Sequence, residues 1–169
     1  RLIPNLLVLR PSDATETAAA WIKALNHQDG PTALILSRQD ISVINRSIYP
    51  SQSKLNYGAY VLKDSQGNPD IVLLASGSEV HIALEATLQL QEKGVRARLV
   101  SMPSFELFRL NSDEYKDSIL PSSCKKRVAI EAAAKNDWYE FVGLDGLVVG
   151  VNQYGASAPT KVIAERYGF

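Results

Sequence analysis

The clearest structural signal in this chain is Ile71-Val72-Leu73-Leu74-Ala75-Ser76-Gly77-Ser78-Glu79. Its first five residues are apolar without alternation, which is typical of a strand buried on both faces. Ser76 and Glu79 stand three residues apart, the spacing of a capping box that begins a helix. Residues at helical spacing then form a mostly apolar face, at Val80, Ala83, Leu84, Thr87 and Leu88. A buried strand that turns directly into such a helix predicts the first half of a parallel crossover unit.

Strand patterns recur on both sides of this unit. Short apolar or alternating runs predict further strands at residues 58–62, 95–101, 127–130 and 146–151. Ser112 can cap a short helix, and Ser157-Ala158-Pro159 can open a last one, because proline is tolerated in a first turn. This alternation favours the α/β class, with an open, mostly parallel mixed sheet flanked by helices over residues 58–169.

The first forty residues carry a smaller version of the same order. Residues 6–9 and 32–36 predict two buried strands, and a capping box at Asp13 and Glu16 begins a helix between them. A single crossover leaves a sheet edge bare, so we expect upstream residues to complete a second α/β domain. The chain also begins without an initiator Met, so we expect it to be cut from a longer protein.

The apolar periodicity is lost between these two units. Residues 41–57 are crowded with serine, asparagine, glutamine and proline, a composition typical of an interdomain linker. We therefore predict three parts: an incomplete domain at 1–40, a linker at 41–57 and a complete domain at 58–169.

The composition fits a globular chain and excludes several classes of function. Of the 169 residues, 46% are hydrophobic and 21% charged, which excludes a disordered chain. The 18 basic and 18 acidic residues cancel and form no basic stripe, so no nucleic-acid partner is expected. The apolar runs are too short for a membrane span, the start shows no signal peptide, and the cytoplasm is the default compartment. Cys124 is the single cysteine, which excludes a disulfide framework within the chain.

Arg38 is the candidate binding residue. It follows the strand at 32–36, and ligands of open α/β sheets bind beyond the carboxyl ends of strands. A guanidinium at this place can hold a phosphate or a carboxylate with two hydrogen bonds. Position alone favours the alternative, a surface arginine that pairs with Asp13 or Asp40.

Two other strand ends allow a functional or a structural interpretation. The turn at Gly77 could bind an anion at the start of the next helix, but it lacks a phosphate-loop or dinucleotide fingerprint. A capped structural helix is the favoured interpretation there. Glu131 could act at a site, but a structural role is favoured, either as the cap of a following helix or in a pairing with Lys135 or Arg127.

Nothing in the sequence predicts a metal centre or a catalytic nucleophile. His27 and His81, the two histidines, have no cysteine or carboxylate at metal-ligand spacing. No nucleophile elbow surrounds any serine. We therefore assign no catalytic, cofactor-binding or metal-binding residue.

Short motifs in both units together resemble bacterial transketolases in an ordered set that covers essentially the whole chain. In the first unit these are Ile3-Pro4-Asn5, Leu9-Arg10-Pro11-Ser12-Asp13 and the run from Gly30-Pro31-Thr32 to Ser37-Arg38-Gln39. In the second they are Gly58-Ala59-Tyr60-Val61-Leu62, Ala75-Ser76-Gly77-Ser78-Glu79-Val80, Val100-Ser101-Met102-Pro103-Ser104 and Gly155-Ala156-Ser157-Ala158-Pro159. The set is similar to the end of the family's pyrimidine-binding domain followed by its C-terminal domain.

The resemblance implies an activity for the parent protein. Transketolases transfer a two-carbon ketol unit from a ketose phosphate to an aldose phosphate in the pentose phosphate pathway. They use thiamine diphosphate with Mg²⁺ or Ca²⁺, held between the subunits of a homodimer. The family's cofactor-binding residues lie upstream of Arg1, so we expect this chain alone to bind no cofactor, to be inactive and to support the dimer. The arginine of the Ser-Arg-Gln motif contacts the substrate phosphate in the family, which implies this role for Arg38.

Two alternatives from other classes remain. Residues 58–169 could act as a nucleotide- or effector-binding α/β module. The chain could also end another thiamine-diphosphate enzyme, such as the β subunit of a 2-oxo-acid dehydrogenase, although Ser37-Arg38-Gln39 is more similar to transketolase.

One turn departs from the family pattern. Many relatives carry Ala-Gly after the position of Glu131, whereas Ala132-Ala133 stands here. Either the turn needs no glycine or it differs.

Overall fold

The first unit is a parallel crossover. The computed structural model describes residues 3–168, with β1 at Leu7–Leu9, α1 at Ala14–Asn26 and β2 at Thr32–Leu34. β1 and β2 pair in parallel, with Leu7 opposite Thr32 and Leu9 opposite Leu34. The predicted order of strand, helix and strand is therefore confirmed, but the buried strand predicted at 32–36 is wrong in its end and its burial, since β2 ends at Leu34 and is only partly buried.

A second, larger sheet contains five strands in the order β3-β5-β4-β6-β7. Their bounds are β3 (Tyr60–Lys63), β4 (Ile71–Ala75), β5 (Ala97–Ser101), β6 (Arg127–Glu131) and β7 (Leu147–Gly150). β4 pairs in parallel with β5 and with β6, and β6 pairs in parallel with β7. The edge strand β3 pairs with β5 in the antiparallel direction. The expected α/β fold with an open, mostly parallel mixed sheet is confirmed.

Helices of very different length accompany this sheet. They are α2 (Glu79–Glu92), α3 (Phe105–Arg109), α4 (Asp113–Ile119), α5 (Tyr139–Val142) and α6 (Thr160–Tyr167), with 3₁₀ turns at Gln52–Tyr57 and Asn136–Trp138. Ser112 caps α4 as predicted, because its Oγ accepts a hydrogen bond from the backbone N–H of Tyr115. α3 was not predicted, since five residues are too few to show helical periodicity.

Burial on both faces explains the uninterrupted apolar run of β4. Val72 and Leu74 face an aromatic core that includes Phe105 and Trp138. Leu73 and Ala75 face the other layer, where α2 packs. Because successive side chains of a strand point to opposite faces, both sets must be apolar.

The two capping boxes have different outcomes. Asp13 caps α1 through a hydrogen bond from the backbone N–H of Glu16 to its Oδ1, at 2.7 Å. The predicted box at α2 is wrong, since the N-cap is Ser78 and it forms no side-chain cap bond. Ser76 instead donates from its Oγ to Glu131 Oε2, at 3.2 Å. A tertiary partner at the next strand end therefore replaces the local one.

The segment between the units has little regular structure before its 3₁₀ turn. It nevertheless packs closely, because Ile44 and Leu55 are both buried. Leu55 lies in a cluster with Leu9 of the first unit and Leu107 of the second. We retain the interpretation of 41–57 as a linker and of 1–40 and 58–169 as domains.

Candidate functional site

The carboxyl ends of the two sheets meet in one crevice. β1 leads into Arg10, β4 into Ser76, and β6 ends at Glu131. The guanidinium of Arg10 forms ion pairs with Glu79, at 3.0 Å between Nη2 and Oε2, and with Glu131. Arg10 Nη1 also lies 3.3 Å from Ser76 Oγ. The first unit therefore reaches into the second through one half-buried cation.

This crevice lies at the topological switch point of the larger sheet. β4 pairs with β5 on one side and with β6 on the other. The connections that follow β4 and β6 therefore lead toward opposite edges of the sheet, to β5 and to β7. Open α/β sheets bind ligands at such a point. Here the side chain of Arg10 occupies it, which counts against an effector-binding module at this point in the chain.

Gly77 permits the close approach of Arg10. Gly77 has a φ of +60°, and a Cβ added there would lie 3.2 Å from Arg10 Nη2. The turn thus packs against a cation, and Glu79 already supplies a negative charge in the first turn of α2. These contacts favour the structural interpretation of this turn over an anion site.

Glu131 pairs with neither of its expected partners. It is buried, and it accepts a hydrogen bond from Trp138 Nε1 at 3.2 Å in addition to its ion pair with Arg10. Arg127 donates instead to main-chain carbonyls, those of Leu120, Pro121, Cys124 and Phe141. Arg127 begins β6 and Glu131 ends it, so the extended strand separates them by about 13 Å, at roughly 3.3 Å per residue. A pairing with Arg127 is therefore excluded by distance, and Glu131 forms an ion pair with Arg10 of the first unit.

The turn after Glu131 needs no glycine. Among the described residues other than glycine, Asn5 is the one with a positive φ, so Ala133 adopts an ordinary backbone conformation. The departure from the relatives at this position is therefore compatible with the turn.

Arg38 lies beyond the carboxyl end of β2, in an exposed segment. It lines a cavity of about 290 Å³ together with Arg10, Gly77, Glu79 and Ala132. In the part of the chain from residue 3 to 168, Arg38 forms an ion pair with neither Asp13 nor Asp40. The pairing that position alone favoured is absent there, and the guanidinium is available to an anion.

The charges in this cavity distinguish its two arginines. Two carboxylates already balance Arg10, whereas Arg38 has no acidic partner among residues 3–168. A dianionic group bound in this cavity would therefore form its ion pair with the guanidinium of Arg38. A larger neighbouring cavity of about 800 Å³ shares Gln39, Glu79 and Ala132 with the first, but no lysine or arginine among residues 3–168 lines it.

A buried polar network holds the first unit beside this crevice. Asp13 Oδ2 accepts hydrogen bonds from the Ile44 backbone N–H at 2.9 Å and from Arg46 Nη2 at 3.1 Å. Burial alone would raise the pKa of Asp13, but these bonds and those from residues 15 and 16 lower it below the usual 3.8. Asp13 is thereby committed to the linker and is not available to Arg38.

Glu16 occupies the centre of the same network. Its Oε2 accepts from the Ser12 backbone N–H at 2.6 Å, and its Oε1 accepts from the Tyr60 hydroxyl at 2.8 Å. Burial raises the pKa of Glu16 above its usual 4.5, although both hydrogen bonds oppose the shift. Burial, with the Glu16 carboxylate beside it, also raises the pKa of Tyr60.

Replacing Glu16 with glutamine is expected to remove one component of the pH dependence of stability. A carboxyl whose pKa is raised on folding stabilises the folded state fully below pH 4.5, and the benefit is lost as pH rises through the folded pKa. Glutamine does not titrate, so the free energy of unfolding of Glu16→Gln should increase relative to the original chain across this window. Urea denaturation from pH 4.5 upward measures the difference.

The matched control is Glu85→Gln, which removes a carboxylate from an exposed position of α2. Glutamine at position 16 has one acceptor oxygen for two donors, the Ser12 N–H and the Tyr60 hydroxyl, so one hydrogen bond is lost, an offset of about 1 kcal/mol that does not vary with pH. A difference between Glu16→Gln and the original chain that stays constant over the whole range would contradict the prediction.

The histidines contact the framework. His27 Nδ1 is hydrogen-bonded to Thr32 Oγ1 at 3.0 Å, and His81 Nε2 donates to the Ser12 carbonyl at 3.2 Å. Within residues 3–168, no group of three or more histidine, cysteine, aspartate or glutamate side chains could hold a metal ion. The same part of the chain has no helix long and apolar enough to cross a membrane.

Sequence reasoning missed Arg10 as a residue of this crevice. The rule that singled out Arg38, a cation directly after a buried strand, applies equally to Arg10 after β1. What the local sequence does not contain is the identity of its partners, Glu79 and Glu131, which belong to the other unit.

The fold and the crevice define a two-unit α/β protein in which the carboxyl ends of both sheets meet between the units. Residues 58–169 match the Transketolase-like TK C-terminal domain, and residues 1–43 match the Transketolase, pyrimidine binding domain. The chain belongs to the transketolase family.

Relatives and solved structures agree with this assignment. The chain is 49% identical over 169 residues to a transketolase of Aquifex aeolicus, covering 100% of this chain and 24% of that protein. Transketolase from Leishmania mexicana superposes with a TM-score of 0.88 at 38% identity, over 98% of this chain and 23% of that one. A Pichia stipitis transketolase in complex with sedoheptulose-7-phosphate gives 0.88 at 32% identity, over 99% of this chain and 24% of that one.

One structural neighbour is itself a divided protein. A split gene transketolase, described as an inactive beta4 tetramer, superposes with a TM-score of 0.75 at 25% identity, over 99% of this chain and 55% of that one. Against the curated relatives it matches, the present chain spans about a quarter of their length.

Proposed function

We propose that this chain is the C-terminal part of a transketolase, which transfers a two-carbon ketol unit from a ketose phosphate to an aldose phosphate. The observation that carries the proposal is Arg38, a guanidinium without an acidic partner among residues 3–168, at a strand end that opens into a cavity. The family assignment supplies the reaction, and Arg38 supplies a contact that the substrates of this reaction require.

The role of Arg38 is to bind the phosphate of the sugar. A guanidinium presents a planar fork that matches two phosphate oxygens, and charge-assisted bonds of this kind are the stronger ones in proteins. The Pichia stipitis relative was solved with a phosphorylated sugar, which supports this substrate class. The phosphate then fixes one end of the substrate and orients the other toward the reacting centre.

The cofactor of the proposed enzyme is thiamine diphosphate with Mg²⁺ or Ca²⁺. When bound, thiamine diphosphate stabilises the carbanion formed during transfer. The described residues offer no group of three or more side chains that could hold the metal. We propose that parts of the enzyme outside this chain hold the cofactor and its metal. Substrate binding is the contribution we propose for the present residues.

The partner of the first unit is the upstream part of the same enzyme. α1 exposes Trp21, Ile22 and Leu25 by 52%, 64% and 76%. Three large apolar residues on one exposed helix are typical of a surface that another element covers. We further propose that the complete enzyme is a cytoplasmic homodimer.

The chain alone is expected to show no transketolase activity. The assay combines xylulose 5-phosphate with ribose 5-phosphate, thiamine diphosphate and Mg²⁺. No turnover above the protein-free background is expected from this chain, because nothing in residues 3–168 replaces the metal or a catalytic base. The inactive split-gene neighbour agrees with this expectation.

The positive arm uses the full-length protein that contains this sequence, in the same assay. It should turn over both sugar phosphates and lose activity when thiamine diphosphate is removed. Turnover by the isolated chain that survives repurification would refute the proposed division of labour. A full-length protein without activity would refute the proposed function itself.

A further inference from the structure

We infer that Arg10 is a positioning residue for phosphate binding, because it anchors the strand end that carries Arg38 to the second unit. The inference rests on the proposed function and adds to it. Arg10 itself contacts no substrate and acts through Arg38.

The main chain of Arg10 is held on both sides by the second unit. Its backbone N–H donates to the Pro103 carbonyl at 2.8 Å, in the loop that follows β5. Its carbonyl accepts from the Gly77 backbone N–H at 3.0 Å, in the turn that follows β4. Residue 10 therefore joins the first unit to two strand ends of the larger sheet.

The side chain adds contacts at the same place. Its guanidinium contacts Ser76 and Glu79 after β4 and Glu131 at the end of β6. The side chain is 15% exposed, and those of Glu79 and Glu131 are 5% and 2% exposed. A planar guanidinium can reach three acceptors at once, whereas an ammonium is a point charge that cannot present the same fork.

The anchor is transmitted to Arg38 across one strand pair. Leu9, next to Arg10, pairs with Leu34 in the parallel ladder, and the Ile35 backbone N–H donates to the Leu9 carbonyl at 2.9 Å. Beyond Ile35, Ser37 Oγ donates a hydrogen bond to the Gln39 carbonyl, at 3.3 Å. The place of Arg38 thus depends on where β1 ends, which Arg10 determines.

The lining of the cavity includes both Arg10 and the segment that carries Arg38. Arg10, Gly77 and Glu79 line it opposite residues 35–39. Releasing Arg10 would let the two walls separate and would move Arg38 relative to the second unit. Such a shift would weaken the oriented contact between Arg38 and the phosphate, although every atom that touches the substrate would still be present.

The test is Arg10→Lys in the full-length enzyme, with ribose 5-phosphate saturating. Lysine keeps the charge that balances Glu79 and Glu131 and loses the fork, so the variant should fold. The Michaelis constant for xylulose 5-phosphate is expected to rise roughly 5- to 10-fold, with a smaller change in kcat, since part of the Arg38 contact is lost. The Michaelis constant for hydroxypyruvate, which carries no phosphate, should change less than about twofold.

The matched control is Arg96→Lys. The Arg96 guanidinium forms two hydrogen bonds to the Asp70 carboxylate, but Arg96 lies before β5, at the opposite end of the sheet. This variant should leave all the kinetic constants unchanged. A rise in the constant for xylulose 5-phosphate equal to that of Arg10→Lys would overturn the inference.

A double-mutant cycle separates positioning from an independent effect. If Arg10 acts through Arg38, then Arg10→Lys should add nothing to the Michaelis constant for xylulose 5-phosphate on an Arg38→Ala background. Additive increases, or an equal loss with hydroxypyruvate, would overturn the inference.

Amide hydrogen exchange tests the anchoring role of Arg10 separately from the proposed function. Exchange at Ile35 and Gly77, whose N–H groups bond to Leu9 and Arg10, should accelerate in Arg10→Lys and not in Arg96→Lys. If Arg38→Ala leaves the kinetics unchanged, the phosphate proposal fails and exchange still reports on the anchor. Unchanged exchange at both amides would overturn the anchor itself.

Discussion

Replacing Arg38 with alanine is expected to raise the Michaelis constant for phosphorylated sugars roughly 10- to 150-fold in the full-length enzyme. A bidentate, charge-assisted contact contributes about 1.5–3 kcal/mol, and each 1.4 kcal/mol corresponds to about a factor of ten. The turnover number should change less, because the phosphate is remote from the reacting carbons and its binding is shared by ground and transition states. Steady-state kinetics with xylulose 5-phosphate and ribose 5-phosphate measure both constants.

Hydroxypyruvate supplies the internal control for Arg38→Ala. It never makes the phosphate contact, so its kinetics should barely change when the acceptor is saturating. Arg38→Lys should recover only part of the loss, since an ammonium lacks the planar fork. Equal damage to phosphorylated and non-phosphorylated donors would mean that Arg38 supports the fold or the cofactor pocket instead.

Gly58→Ala is expected to reduce the free energy of unfolding of this chain by about 3–5 kcal/mol, the combined cost of backbone strain and overpacking. Gly58 has a φ of +76° at the end of the 3₁₀ turn that precedes β3. A Cβ there would lie 2.2 Å from the Phe108 nitrogen and 2.4 Å from the Ser104 oxygen. Both are main-chain atoms of α3 and its cap, so no side-chain rotation can relieve the clash.

Gly67→Ala separates the two contributions to this loss. Gly67 has a φ of +79°, and a Cβ there would meet no atom within 4 Å. This variant should lose only about 1 kcal/mol, the cost of the left-handed conformation for alanine. Urea denaturation of the two variants measures both losses, and equal losses would show that the contact with α3 contributes nothing.

The clash at Gly58 also bears on the site. The Ser104 backbone N–H donates to the Gly58 carbonyl at 3.0 Å, and the neighbouring Pro103 carbonyl holds the backbone of Arg10. Damage at Gly58 should therefore reach the Arg10 anchor, whereas damage at Gly67 should not. The two glycine variants thus distinguish a general loss of stability from a loss that reaches the crevice.

Local signals predicted the main elements of this fold correctly. The run at β4 needs apolar residues on both faces, and that requirement appears in consecutive residues whatever lies beyond them. The caps at Asp13 and Ser112 act over three residues, so they can also be read from the sequence. The strand-end position of Arg38 follows from the same local pattern, and its proposed role follows from the family resemblance.

Two failed predictions concern partners that are distant along the chain. Ser76 was expected to cap α2, three residues away, but it contacts Glu131 instead. Glu131 was expected to pair with a residue of its own neighbourhood, and its cation comes from β1 of the other unit. In each case a partner was available nearby in the sequence, but the strand order of the sheet placed a residue that is distant in the sequence in contact instead.

By itself, the sequence determined the alternation of strands and helices, the family and the candidate Arg38, because each depends on residues close together in the chain. Only the tertiary structure decided that Arg10 occupies the switch point, that Asp13 belongs to Arg46, and that Arg38 faces a cavity without an acidic partner among the described residues. The physical reason is that a buried charge must be paired, and the order of β4, β5 and β6 determines which distant charges come within reach.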